Sequence, residues 1–142
     1  MKINNVAQTE QTGLSPSDEE SIRRTCLDYL DGWYTGDAER IALSLHPELI
    51  MRSVLRDSKQ EWILRKPSTF KQMVEWTREG GGSKVPAAER VYEITIHNGF
   101  RHIATVSALS PEYMDYMHLA KLGGRWLIVN VLWELRDGNL DD

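Results

Sequence analysis

The clearest pattern in the chain is a pair of strand-like runs near its C-terminal end, residues 111–122 and 125–134. They flank Gly123-Gly124, a dipeptide typical of a tight hairpin turn. The second run is apolar on both alternating faces, with Leu127, Val129, Val131 and Trp133 on one and Trp126, Ile128 and Leu132 on the other. We therefore expect both faces to be covered, one by the protein's own helices and the other by a second subunit.

The N-terminal half has the period of helices. Ser15 and Pro16 are a strong helix start, and Gly36 is expected to end the helix. One apolar stripe runs along this helix: Ile22, Cys26, Tyr29, Leu30 and Trp33. A second helix is predicted from Asp37 to about Leu45, and a third begins after Pro67. The third ends at residues 80–83, Gly-Gly-Gly-Ser, which we interpret as a flexible linker.

The remaining segments are predicted strands. A short strand over residues 49–56 and a return strand over 61–65 precede the third helix, and two longer strands, 90–97 and 100–109, follow it. Asn98-Gly99 is expected to form the turn between the longer strands. The order of elements predicts an α+β domain over residues 15–137. Residues 1–14 are predicted to be a flexible arm and residues 138–142 a tail.

Length and charge narrow the function. The chain has 142 residues, enough for one domain, and a net charge of −4 without a basic stripe, so nucleic acid is not an expected partner. The longest apolar run, Trp126 to Trp133, is too short to span a membrane. Residues 1–10 lack the apolar core of a signal peptide, and the single cysteine, Cys26, excludes an internal disulfide. We expect a cytoplasmic protein. No metal or cofactor is predicted, because metal-ligand spacings and phosphate-binding glycine loops are absent from the sequence.

Four segments carry a resemblance to a known superfamily: Asp31–Asp37, His46–Leu49, Asp115–Leu119 and Gly124–Trp133. With the order of elements, they resemble the nuclear transport factor 2-like superfamily over residues 17–134. Within it, the chain looks closest to the lumazine-binding group, near the SnoaL-like polyketide cyclases. The resemblance implies a cone-shaped, curved mixed or antiparallel sheet wrapped around N-terminal helices, as in cystatin-like folds. It also implies an interior cavity and a homodimer formed across one face of the sheet.

Three residues are candidates for catalysis: Asp115, His118 and His46. In the related isomerases and cyclases, an acid or a histidine projects into the cone and moves a proton next to a carbonyl. A buried Asp115 would have a raised pKa and become a usable base near neutral pH. Positions 115 and 118 point to opposite faces of a regular strand, and we expect His118 to face the cavity. His46 either transfers protons or caps the second helix.

A second group of residues could line the pocket. It consists of aromatic side chains and one amide: Trp33, Tyr34, Trp76, Tyr113, Tyr116, Asn130 and Trp133. Aromatic rings can stack on a flat ligand, although each of them could equally fill the core. A buried amide at Asn130 would need hydrogen-bond partners from the protein, water or a ligand.

These observations leave three functions open. The first is a domain that binds a small, flat, partly apolar ligand in an aromatic cavity. The second is a SnoaL-like enzyme, a cyclase, isomerase or dehydratase, that uses an Asp or His to move protons on a flat cyclic substrate. The third is a dimeric interaction module without a ligand. A titratable group at the cavity floor would favour the enzyme, and a closed, water-free cavity would favour the module.

Overall fold

The computed structural model of the protein describes residues 11–137. Within this range the chain forms three α-helices, α1 (Pro16–Thr35), α2 (Ala38–Ser44) and α3 (Phe70–Arg78), and a short 3₁₀ turn at Ala87–Glu89. It also forms six strands: β1 (Leu45–Arg56), β2 (Trp62–Leu64), β3 (Glu93–Phe100), β4 (Ile103–Leu109), β5 (Tyr113–Leu122) and β6 (Arg125–Leu135). The predicted order of helices and strands is therefore confirmed, and β1 starts directly after α2, four residues earlier than expected.

The six strands make one open sheet in the order β2-β1-β6-β5-β4-β3. All neighbours are antiparallel except β1 and β6, which run parallel. The α+β fold class with a mixed sheet is confirmed. The parallel pair joins the first strand of the chain to the last, so β1 and β6 lie side by side within the sheet.

Helix α1 covers one face of the sheet, called the inner face here. It begins where Ser15 accepts a hydrogen bond from the Asp18 amide and ends at Gly36, whose φ of 69° suits glycine. Four members of the predicted apolar stripe are buried: Ile22, Cys26, Tyr29 and Leu30. The Asp18 carboxylate accepts bonds from Lys121 Nζ at 2.9 Å and Trp126 Nε1 at 3.0 Å. These bonds fix the first turn of α1 against β5 and β6.

An irregularity in β6 changes which side chains share a face. His118 pairs with Asn130, but the next residue, Leu119, pairs with Ile128, so Val129 is an extra residue on β6. Strict alternation placed Trp126 and Trp133 on opposite faces, and that prediction is wrong. The bulge resets the alternation, so that Trp126 and Trp133 both lie on the inner face.

The prediction of a turn at Asn98-Gly99 is also wrong. Asn98 and Gly99 lie inside β3, and the turn to β4 falls at Arg101-His102, where Arg101 has a φ of 51°. Gly99 instead gives room for the Leu14 side chain and donates its amide proton to the Thr12 carbonyl at 2.7 Å. Contacts with the domain thus begin before Ser15, whereas residues 1–10 and the tail at 138–142 lie outside the described residues.

The segment at residues 80–83 is a packed turn and not a flexible linker. Gly82 is buried, and its amide donates to the carbonyl oxygen of Trp33 at 2.9 Å. A Cβ atom at residue 82 would lie 2.8 Å from Trp33 Nε1 and from Tyr34 Cδ1. The missing side chain therefore allows this turn to lie against the end of α1.

Candidate functional site

A cavity of about 220 Å³ lies between the helices and the inner face of the sheet. Helices α1 and α3 form one side, and strands β1, β5 and β6 form the other. Its walls comprise Tyr29, Leu30, Trp33, Tyr34, Met51, Arg65, Ser68, Met73, Trp76, Ser110, Tyr113, Asp115 and Trp133. The volume is below the roughly 300 Å³ at which pockets for drug-sized ligands begin, so the cavity suits a smaller molecule.

Aromatic rings make up much of the wall. Trp33 and Trp76 approach from the helices, and Tyr113 and Trp133 approach from neighbouring strands. The last two rings meet edge to face, with centroids 5.0 Å apart and planes at 73°. Trp76 is 41% exposed and marks the open end, called the mouth. Such walls offer flat apolar surfaces on which a planar ring can stack.

Asp115 lies in the buried part of the wall, called the inner end here. Its side chain comes from β5 and is 3% exposed. Burial raises the pKa of this carboxyl from 3.8 to about 7, because the charged form loses its water, while a hydrogen bond from Tyr29 acts in the other direction. Neutral and ionised forms are thus both accessible near neutral pH.

Tyr29 is the nearest polar neighbour of that carboxyl. Its hydroxyl donates to Asp115 Oδ1 at 3.5 Å, longer than the usual 2.5–3.0 Å or so of a hydroxyl bond. Burial also raises the pKa of Tyr29 well above 10.0, so the phenol stays protonated. Both groups therefore retain the capacity to bond to an oxygen or nitrogen atom of a molecule in the cavity.

Tyr34 has a different role. Its ring stacks on Tyr92 with centroids 5.8 Å apart, and its hydroxyl bonds to Ser110 Oγ at 2.9 Å and accepts the Glu112 amide at 3.1 Å. Desolvation raises the pKa of Tyr34 to about 12. Because its polar group is already engaged, Tyr34 shapes the wall and ties α1 to the turn before β5.

The structure brings six of the residues predicted from the sequence to this cavity. They are Trp33, Tyr34, Trp76, Tyr113, Asp115 and Trp133. Sequence reasoning placed Tyr29 only in the core stripe, and it gave no role to Arg65. A signal for Tyr29 was present, since it is the one stripe residue with a phenolic hydroxyl.

His118, Tyr116 and Asn130 were predicted to face the cavity, and the structure places them on the outer face. Asp115, Met117 and Leu119 are buried on the inner face, so alternation along β5 turns Tyr116 and His118 outward. His118 Nδ1 lies 3.3 Å from Asn130 Nδ2 across the strand pair. None of these three side chains can contact a molecule in this cavity.

His46 does not line the cavity either. Its Nδ1 accepts the amide proton of Glu48 at 3.0 Å, in the first residues of β1. The ring therefore stabilises the local bend around Pro47 and has no position for proton transfer at this site. Cys26 is buried in the core, and burial raises its thiol pKa to about 12, so it is not a nucleophile.

Two kinds of feature are absent from residues 11–137. No group of three or more His, Cys, Asp or Glu side chains in that range could hold a metal ion. Over the same residues, none of the helices combines the length and the apolar character needed to cross a membrane.

A family model described as "Putative lumazine-binding" matches residues 17–134. The chain belongs to this family. No curated protein sequence matches the chain. The resemblance to the lumazine-binding group inferred from the motifs is thereby confirmed, and the expected nuclear transport factor 2-like fold is shown by solved structures.

Solved structures show the same fold as this member of the lumazine-binding family. An NTF2-like protein of unknown function from Silicibacter pomeroyi has a TM-score of 0.68 at 11% identity, covering 87% of this chain and 100% of that one. One from Methylobacillus flagellatus has a TM-score of 0.63 at 20% identity, covering 87% and 95%. A ketosteroid isomerase-like protein from Erwinia carotovora atroseptica has a TM-score of 0.59 at 12% identity, covering 86% and 98%. At these identities the likeness establishes the fold alone.

Proposed function

We propose that the protein is a ligand-binding domain whose cavity holds a small, flat, partly apolar molecule. The observation that carries this proposal is a buried carboxyl, Asp115, at the inner end of a cavity walled by aromatic rings. The rings supply apolar contact and stacking, and a single polar end fixes the orientation of the ligand. This combination is typical of small-molecule sites.

The polar groups at the inner end of the cavity determine which ligand atoms can bind there. When Asp115 is neutral it donates one hydrogen bond, and the Tyr29 hydroxyl is a second donor in reach. Two donors that converge on one place favour a carbonyl oxygen or a ring nitrogen of the ligand. Lumazine, the bicyclic molecule named in the family description, is flat and carries both kinds of acceptor. It is therefore the first probe to use.

The test is binding of lumazine, measured by quenching of tryptophan fluorescence and by calorimetry. We expect saturable binding, weakened about tenfold or more in Asp115→Leu, which keeps an apolar side chain but removes the donor. His118→Leu changes the same strand on its outer face and should bind like the wild type. Absence of lumazine binding, together with native mass spectrometry that finds no co-purified small molecule, would contradict the proposal.

A second candidate function is proton transfer on a cyclic carbonyl compound, and the raised pKa of Asp115 favours it. An Asp115 carboxylate with a pKa of about 7 can accept a proton from the carbon next to a carbonyl. The electron pair of the broken C–H bond moves to the carbonyl oxygen, which then accepts a hydrogen bond from Tyr29. The protonated carboxyl then exchanges its proton with solvent, and delivery of the solvent-derived proton to carbon completes the exchange.

This second function has its own assay. In deuterated water, 2-tetralone should exchange the hydrogens next to its carbonyl faster with protein than without, as followed by NMR. The acceleration should be lost in Asp115→Asn and retained in His118→Ala. Equal exchange rates with wild type and with Asp115→Asn would contradict proton transfer by Asp115, and only the binding function would stand.

We further propose a homodimer formed through the outer face. Tyr116 and Leu132 are cross-strand neighbours there, 53% and 46% exposed, and Ile50 extends the apolar surface onto β1. The His118–Asn130 pair lies beside them. A second copy of the chain would cover these apolar side chains, in line with the arrangement that the superfamily resemblance implies.

A further inference from the structure

The cavity has a single cationic side chain among its described wall residues, Arg65. Its backbone amide donates to the Ser53 carbonyl at 2.9 Å, directly after β2. Three residues later, Ser68 exchanges two backbone hydrogen bonds with Met51, at 2.7 and 3.3 Å. Both ends of the segment 65–68 are thus fixed along β1. Arg65 is an exposed residue of the cavity wall, and we therefore infer that its guanidinium lies at the mouth.

No carboxylate of residues 11–137 forms an ion pair with Arg65, and no hydrogen bond of its guanidinium is seen in that range. Arg40, by comparison, is held by Asp28 and Asp31 on α1. Within residues 11–137, therefore, packing does not use the charge of Arg65. Its planar group has five donors that could serve a ligand.

Arg65 and Asp115 occupy separate parts of the wall. Burial raises the pKa of Asp115 and the hydrogen bond from Tyr29 lowers it, and Arg65 is not among the groups that shift it. One is exposed at the mouth, and the other is 3% exposed at the inner end. A molecule that spans the cavity would thus meet neutral donors at one end and a cation at the other.

We propose that Arg65 binds a carboxylate group of the ligand, so that the ligand class is flat ring acids. The inference rests on the proposed binding function and adds the charge and orientation of the ligand. A guanidinium matches a carboxylate with two parallel hydrogen bonds. The ring of such an acid would lie among the tryptophans, with its polar atoms on the far side directed at Asp115 and Tyr29.

The surroundings of Arg65 favour a carboxylate over a phosphate. Phosphate sites commonly add backbone amides at a helix N-terminus. Helix α3 begins close to Ser68, but its first turn is closed by a capping box. Thr69 Oγ1 accepts the Gln72 amide, and Gln72 Oε1 accepts the Thr69 amide. With the Thr69 and Gln72 amides engaged, Arg65 is the cationic donor among the described wall residues.

The test compares three probes by calorimetry at about pH 6: 2-naphthoate, the uncharged 2-naphthamide and 2-naphthyl phosphate. We expect wild type to bind 2-naphthoate about tenfold more tightly than 2-naphthamide. Arg65→Gln should remove this preference by weakening 2-naphthoate binding more than 2-naphthamide binding, and Arg65→Lys should keep part of the preference. The matched control is Arg24→Gln, which loses the same charge from an exposed pair on α1.

Each other outcome counts against a defined claim. Equal binding of the acid and the amide by wild type would overturn the role of Arg65 and leave the binding function standing. Tighter binding of the phosphate than of the acid, dependent on Arg65, would overturn the carboxylate assignment. If none of the probes binds, and lumazine does not bind either, the cavity is not a ligand site, and both proposals fall.

Discussion

The hydroxyl of Tyr29 on α1 and the carboxyl of Asp115 on β5 face each other at 3.5 Å inside the domain. Both side chains are buried, at 6% and 3% exposure. The contact is too long to satisfy either group fully, and burial takes the carboxyl away from bulk water. The pair therefore combines an energetic cost to the fold with an available binding function at the inner end of the cavity.

The burial of Asp115 should make the stability of the fold depend on pH. The pKa of Asp115 is about 7 in the folded protein, whereas an aspartate in the unfolded chain has its ordinary pKa of 3.8. Folding therefore favours the neutral form of this carboxyl. This stabilisation is complete below about pH 3.8 and is lost as pH rises to about 7. At about 1.36 kcal/mol per pKa unit, the loss is about 4 kcal/mol. Asp115→Asn should abolish this fall, as measured by urea unfolding at several pH values.

The matched control for this prediction is Glu75→Gln, which removes a carboxylate that is 55% exposed on α3. It should leave the difference between acid and neutral pH as in the wild type, because exposed ion pairs contribute little. An identical pH profile for Asp115→Asn and wild type would show that Asp115 titrates as an ordinary carboxyl.

Trp76 should contribute to binding more than to stability. It is 41% exposed at the mouth, so Trp76→Ala removes a stacking surface while leaving the core packed. We expect lumazine affinity to fall about twofold to tenfold, the usual worth of an aromatic contact. Trp62→Ala is the control, since Trp62 is 49% exposed on β2 and does not line the cavity. Equal losses of affinity in the two variants would remove Trp76 from the site.

Gly82→Ala should displace aromatic side chains of the cavity wall, although residue 82 is not itself a wall residue. A methyl group there would lie 2.8 Å from Trp33 Nε1 and Tyr34 Cδ1, so one of these rings must move. We expect a loss of about 1–3 kcal/mol in unfolding free energy and weaker lumazine binding. Gly123→Ala places its methyl group in open space, at a φ of 57°. That variant should lose some stability through backbone strain but retain wild-type affinity.

The proposed dimer predicts a mass in solution of about twice 16.3 kDa. Tyr116→Glu places a charge in the apolar outer face and should give a monomer by size-exclusion chromatography with light scattering. Leu43→Glu alters a leucine of α2 that is 59% exposed, away from that face, and should remain dimeric. A wild-type monomer at micromolar concentration would contradict the proposal.

Local signals predicted the helices well. Ser15 and Asp37 each cap a helix with their side chain, as predicted, and Gly36 ends α1 in the left-handed conformation. Such signals depend on residues a few positions apart, which the sequence displays directly. The same holds for Gly123-Gly124, where the predicted hairpin between β5 and β6 is confirmed.

Predictions about faces were less successful, because a face depends on a distant partner. Side chains alternate along β5, so the sequence alone predicts that Asp115 and His118 lie on opposite faces. Which of the two faces is buried depends on where α1 packs. The bulge at Val129 likewise arises from pairing with β5, and it moved Trp126 and Trp133 to one face. Arg65 was missed because its place at the mouth depends on the pairing of residues 65–68 with β1.

The parallel pairing of β1 with β6 has a consequence for synthesis on the ribosome. Met51, on the cavity wall, pairs with Val131, and Trp133 follows two residues later. A nascent chain that has emerged only as far as β5 therefore lacks the strand that joins β1 to the rest of the sheet. Pairing between strands far apart in the chain is slow, and the strand edges stay exposed until it occurs. The walls of the cavity should therefore come together only after β6 has been translated, late in folding.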